Sequence, residues 1–215
     1  MTDILRARAI LFDMDGTLVD STPVVEMVWR RFADAHEIDV VEILASSHGV
    51  KAIDTIRKHA PHIDADAAAA DLAAFEIGQN DGIIEIPGAA AYVRAIPEGG
   101  YAVVTSAPRE LALVRLQLCD IPVPVVVIGA EDVEHGKPNP DPYLAAADAL
   151  GLAPEECIVF EDAPAGIRSG LAAGMRVVVV GDTNDEAAEG LPRIPNYLSS
   201  AGNARGDGAF DVVLG

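Results

Sequence analysis

Phe12-Asp13-Met14-Asp15-Gly16-Thr17-Leu18-Val19-Asp20-Ser21 is the stretch whose reading decides the fold. It grows out of Ala9-Ile10-Leu11-Phe12, a short continuous apolar run that suits a strand buried on both faces of a parallel sheet. In an open α/β sheet, ligands bind just beyond the carboxyl ends of the strands. Two carboxylates two residues apart at such a place, with glycine next, crowd negative charge. That crowding is unfavourable unless a cation binds or one carboxyl keeps its proton. A lone Asp-x-Asp is ordinarily a surface turn. The whole run after a buried strand points to chemistry instead.

Working outward, similar apolar runs recur at Tyr101–Val104, 125–128, 158–160 and 177–180. Helix-like stretches lie near them at 89–96, 110–119, 142–150 and 165–173. Gly99-Gly100, Gly151 and Gly174 follow three of these and stop them. Strand and helix in alternation predict an α/β fold with a doubly wound, parallel-sheet, Rossmann-like core. Residues 22–84 break the rhythm, because they exceed one crossover helix and contain no convincing strand. Thr22 is placed to cap a helix with Pro23 in its first turn. Val24, Val25, Val28, Trp29 and Phe32 then recur at helical spacing, and further amphipathic stretches cover 50–59 and 64–75. The expected organisation is a core of residues 1–18 and 85–215 with an inserted all-helical cap at 19–84. The stretch 191–208 reads as loop, and Phe210–Leu214 as a last edge strand.

Composition narrows the function. The 215 residues carry 15 Lys+Arg against 34 Asp+Glu, a formal net charge of −19. So few cations leave no dominant basic face for nucleic acid, and the acidic surface argues against an anionic membrane. Hydrophobic residues make up 50% of the chain, which is enough to fill a core and excludes acidic disorder. Cys119 and Cys157 follow no metal spacing and read as reduced core residues. The start of the chain lacks a secretory apolar stretch, and no apolar run approaches the roughly 20 residues of a membrane span. The expected setting is the cytoplasm.

The run at Asp13 resembles the first motif of the haloacid dehalogenase superfamily of phosphotransferases, Asp-x-Asp-Gly-Thr. Three further segments match the family's remaining motifs in order. Val103-Val104-Thr105-Ser106 resembles the second, Gly136-Lys137-Pro138-Asn139-Pro140 the third, and Val159-Phe160-Glu161-Asp162 the fourth. The resemblance implies Asp13 as nucleophile and Asp15 as acid and base. It implies Thr105 on a phosphate oxygen, with Gly16, Ser106 and Ala107 beside it. It implies Lys137 as a neutralising cation. It also implies Mg²⁺ held by the Asp13 carboxylate, the Asp15 backbone carbonyl and Asp162, with Glu161 bound directly or through water. Dehalogenases of the superfamily lack the second aspartate, which this chain has as Asp15.

The insertion resembles the helical cap that selects the leaving group in this superfamily. Glu26-Met27-Val28-Trp29 and Ser47-His48-Gly49-Val50 resemble the sugar- and polyol-phosphate phosphatase branch. On that resemblance the substrate is a small phosphorylated sugar or polyol, and Ser47, His48 and Gly49 contact its hydroxyls. An ordinary helix-to-helix loop remains the alternative for His48. Trp29 reads as cap core, and Lys51, Arg57 and Arg109 as solvated surface charge rather than rim cations. A monomer or weak dimer is expected. Two other functions stay open: a mutase of the β-phosphoglucomutase kind, and a non-enzymatic phospho-acceptor signalling module.

Overall fold

The computed structural model describes residues 3–204 and 209–214. Six strands form a parallel sheet in the order β6-β5-β2-β7-β8-β9. They are β2 (Ala9–Phe12), β5 (Tyr101–Val104), β6 (Val126–Ile128), β7 (Cys157–Glu161), β8 (Arg176–Val180) and β9 (Arg193–Ile194). Every residue of β2, β5 and β7 is buried. Their alternate side chains feed two separate apolar clusters. Ile10, Phe12, Val103 and Phe160 face one side, and Ala9, Leu11, Val104 and Val159 the other. Helices α5 (Ala89–Arg94) and α6 (Arg109–Leu118) cover the first face. Helices α7 (Asp141–Ala149) and α8 (Pro164–Ala172) cover the second. With both faces covered, no position needs a polar side chain, which is why the strands read as unbroken apolar runs.

The chain winds from β2 outward through β5 to β6, then returns to β7 on β2's other side. The strand order therefore reverses at β2, and Asp13 follows it directly. That is where an open sheet opens a crevice.

Two expectations about the C-terminal stretch are corrected. The segment read as loop contributes β9 to the main sheet and β10 (Ala201–Ala204) to another; its residues 205–208 lie outside the described residues. Strand β11 (Phe210–Leu214) is not an edge of the main sheet. It lies between β10 and β1 (Asp3–Ala7) in a separate antiparallel sheet. The reason is its alternation: Phe210, Val212 and Leu214 are buried against Tyr92 and Ile96, while Asp211 and Val213 are less buried.

Four helices occupy residues 22–77: α1 (Thr22–His36), α2 (Val40–Ser47), α3 (Ala52–His59) and α4 (Ala65–Ile77). They share an apolar cluster of their own, built on Val24, Val28, Trp29, Phe32, Ile43 and Ile56. Trp29 and Phe32 meet edge to face at 5.6 Å. Asp64 caps α4, accepting from the Asp66 and Ala67 amides. At α1 the expected cap is displaced by one residue. Thr22 is the first helical residue, and Ser21 holds the cap position without a capping bond. Its hydroxyl is committed elsewhere, to Asp15 at 2.6 Å. The insertion is also not free of strand at its end. Strand β3 (Val19–Asp20) pairs with β4 (Ile84–Glu85), so the outgoing and returning chains run side by side.

Candidate active site

Three carboxylates, Asp13, Glu161 and Asp162, bring oxygens within 4.8 Å of one another at the ends of β2 and β7. Lys137 lies among them with a fully enclosed side chain. Its Nζ donates to Asp13 Oδ1 at 2.5 Å, Glu161 Oε1 at 2.7 Å and the Val104 carbonyl at 2.9 Å. Glu161 also accepts from the Tyr143 hydroxyl at 3.1 Å and the Ala163 amide at 2.9 Å. Both of its oxygens are thus engaged, which fits the water-bridged role better than the direct one. Asp162 accepts from the Thr17 hydroxyl at 3.0 Å.

The charges do not balance. Burial, together with the Glu161 charge, pushes Asp13 up to about 8, and Lys137 offsets this only in part. Burial and the same neighbours hold Asp162 well above the usual carboxylate range. Burial disfavours the Lys137 ammonium, but Asp13 and Glu161 outweigh it and raise its pKa. One buried cation against three converging carboxylates is a set of hard oxygen donors short of positive charge. It fits a hard divalent cation.

The loop after β2 is built to allow this crowding. The Met14 carbonyl accepts from the amides of Thr17, Leu18 and Val19, which closes a tight turn. Gly16 sits in that turn at φ 88°, and a Cβ there would lie 2.0 Å from Asp162 Oδ2. Gly16→Ala is expected to cost about 2–4 kcal/mol of stability, through backbone strain and displacement of Asp162. Thermal melts with and without divalent cation check this. An unchanged melting temperature would show that the turn adapts.

Thr105 follows β5 and is buried, and its hydroxyl accepts from the Ala107 amide at 3.0 Å. Ser106 Oγ donates to the Gly49 carbonyl at 2.8 Å, so it ties the core to the helical insert. A cavity of about 210 Å³ lies between the two parts. Asp13, Asp15, Gly16, Thr105, Ser106 and Ala107 line its floor, together with Asp162. Ser47, His48 and Gly49 line it from the insert. Trp29 is buried in the insert's core and also reaches this lining, so it serves in both places.

Lys51 corrects the reading of a solvated charge. It is buried, and its ammonium donates to the carbonyls of Val133 at 2.6 Å and Glu134 at 3.3 Å. Arg57 is exposed, pairing with Asp54 and Asp66, and the half-buried Arg109 pairs with Asp132.

Two residues of the cavity wall were not anticipated. Arg115 on α6 donates to Asp15 Oδ1 at 2.8 Å and, through its other terminal nitrogen, to Glu76 on α4. Its side chain is 2% exposed. Burial works against its charge, but Asp15 and Glu76 raise its pKa above the ordinary value. Burial raises Glu76, and Arg115 opposes that shift. The signal was present: Leu111, Ala112, Arg115 and Leu116 share the buried face of one helix. A charge at helical spacing among core positions asks for a partner.

A carboxylate cluster at two strand ends, an enclosed lysine and a helical insert over a small cavity describe an α/β core with a cap. Residues 7–174 match the model of the haloacid dehalogenase-like hydrolases. The chain belongs to that family and is an enzyme of the phosphatase type. It is 44% identical to hexitol phosphatase A of Escherichia coli over 185 residues, 82% of this chain and 84% of the relative. It is 38% identical to glycerol-1-phosphate phosphohydrolase 1 of Saccharomyces cerevisiae, over 84% of this chain and 77% of the relative. Among solved structures, CbbY of Rhodobacter sphaeroides in complex with phosphate superposes with a TM-score of 0.77. It is 21% identical, with 90% of this chain and 96% of that one covered, a likeness of fold. No helix among the described residues is long and apolar enough to cross a membrane.

Proposed function

We propose that the chain is a Mg²⁺-dependent phosphatase that hydrolyses a small phosphorylated sugar or polyol through an aspartyl-phosphate at Asp13. The observation that carries this is Lys137 locked between Asp13 and Glu161, beneath a cavity too small for a macromolecule. Its volume of about 210 Å³ falls below the roughly 300–1,000 Å³ of drug-sized ligand sites. The relatives named above act on a hexitol phosphate and on glycerol 1-phosphate by their names, which supports the substrate class.

In this reading an Asp13 carboxylate oxygen attacks phosphorus in line, and the bond from phosphorus to the substrate oxygen breaks. Asp15 gives its proton to the departing alkoxide. It then takes a proton from the water that attacks phosphorus, which frees Asp13 and inorganic phosphate. Lys137 lowers the charge on Asp13 and on the group in transfer. Thr105, with Gly16, Ser106 and Ala107 beside it, orients the phosphoryl oxygens. Asp13, the Asp15 carbonyl and Asp162 would hold Mg²⁺, with Glu161 through water; when bound, it supplies charge neutralisation between anionic nucleophile and anionic ester. Ser47, His48 and Gly49 face the sugar portion, and the lid excludes bulk water. A cytoplasmic setting and a monomeric or weakly dimeric state belong to the same proposal.

The test is phosphate release from a panel of hexose, hexitol and glycerol phosphates, with Mg²⁺ and with chelator. Release that needs Mg²⁺ and leaves no isomeric phosphate is the expected result. Isomer formation without release would make the chain a mutase. No reaction with any small ester would overturn the reading.

A further inference from the structure

Asp15 is gripped on one oxygen only. Oδ1 accepts from Ser21 Oγ at 2.6 Å and Arg115 Nη1 at 2.8 Å, whereas no described residue donates to Oδ2. Two donors on one oxygen restrict the orientation of the carboxyl and leave Oδ2 without a donor among the described residues. The grip spans the two parts of the molecule. Asp15 and Arg115 belong to the core, while Glu76, which holds the other end of the guanidinium, belongs to the last helix of the insert. Arg115 Nε is buried without a partner, so the side chain depends on these two carboxylates. A buried guanidinium that loses one of two counter-charges is no longer compensated and seeks water. Ser106 to Gly49 and Lys51 to Val133 mark the docked arrangement of the same two parts.

We propose that Glu76 and Arg115 are positioning residues. Together they align Asp15 for proton transfer to the leaving group, and only while the helical insert is docked on the core. The proposal rests on the acid–base role given to Asp15 above. It makes the acid competent when the lid is down over a bound ester, and it leaves Arg115 without its second counter-charge when Glu76 moves away. An open site would then hold the nucleophile ready but the acid misaligned.

The experiment compares kcat/KM, with Mg²⁺, for a polyol phosphate, phenyl phosphate and p-nitrophenyl phosphate. The proteins are wild type, Glu76→Ala, Glu76→Gln and Arg115→Met. This parameter covers the steps through departure of the alcohol. Nitrophenolate leaves with little need of a proton, whereas phenolate and alkoxide need one. Glu76→Ala and Arg115→Met are expected to lose about tenfold or more on the polyol and phenyl esters and under about threefold on the nitrophenyl ester. Glu76→Gln, whose amide oxygen still accepts from Arg115 but carries no charge, is expected to lose less than Glu76→Ala and in the same order of esters. Equal losses on all three esters would assign the pair to packing and overturn the proposal. A loss confined to the polyol ester would assign it to hydroxyl recognition and also overturn it, as would a Glu76→Gln loss spread equally over the three esters. If Arg115→Met does not fold, the two Glu76 variants decide alone. A wild type inactive on every ester would instead overturn the phosphatase reading, and this proposal with it.

Discussion

Asp13→Asn is expected to abolish turnover, by roughly 10⁴- to 10⁶-fold, while the fold stands. The amide oxygen of Asn still accepts from Lys137, and the side chain keeps its volume, so packing around the end of β2 is preserved. What goes is the anionic nucleophile, for which a neutral amide is no substitute. The same variant changes how stability depends on pH. In the metal-free protein Asp13 lies at about 8, against 3.8 for the ordinary carboxyl. The folded state therefore binds this proton more tightly than the unfolded state. The stability it contributes is complete below about pH 4 and is lost as pH rises through 8. Wild type without metal is expected to melt at falling temperatures across that window, and Asp13→Asn less steeply. A divalent cation should raise the wild-type melting temperature more at pH 8 than at pH 5. Phosphate-release assays and thermal melts check both halves. A folded Asp13→Asn variant with normal Mg²⁺-dependent activity sinks the nucleophile assignment.

The floor of the candidate site was legible because its polar residues lie where buried strands end. Apolar strands must end somewhere, and the residues at their carboxyl ends are free to be polar. Asp13, Thr105 and Asp162 each follow a strand, and Glu161 is the last residue of one, so a reader who finds the strands finds the site. Lys137 stood out because only Lys51, Lys58 and Lys137 are lysines. Arg115 and Glu76 were missed for a physical reason: they lie within helices, where a charged residue is ordinarily a solvated one. Only the three-dimensional meeting of α4 and α6 brings Glu76 onto Arg115, which in turn holds Asp15. Lys51 was misread for another reason: its partners are backbone carbonyls, which carry no sequence signature. The C-terminal strands were hidden by glycine, asparagine and proline, and β9 has only two residues. The insert was legible as helical because Val24, Val28, Trp29 and Phe32 repeat with helical period. Its second helix, α2, has only eight residues and was not read as a helix.

Lys137→Met is expected to cost both stability and activity, and the geometry says why no other cation replaces it. An ammonium has three donors, and here it meets three acceptors: Asp13, Glu161 and the Val104 carbonyl. Methionine fills the space but leaves two carboxylates facing each other in an enclosed site. Removing one partner of such a buried cluster costs about 3–5 kcal/mol. At roughly 2–4 °C per kcal/mol for a chain of this size, the melting temperature should fall by about 10 °C. The deficit should be larger at pH 8 than at pH 5, because the unpaired carboxyls escape the penalty by taking up protons in acid. A divalent cation should recover part of it by entering the same cluster. Turnover should fall by about 10²–10³-fold even with saturating Mg²⁺, since the charge developing on the transferred group loses its fixed counter-charge. Lys137→Arg should fare no better. A planar guanidinium is larger than the enclosed space and cannot present three donors in a tripod. Melts at the two pH values and kcat/KM for both variants test this. Wild-type melting and turnover in Lys137→Met would remove lysine from the mechanism. A fully active Lys137→Arg would show that charge alone, and not the tripod, is what the site requires.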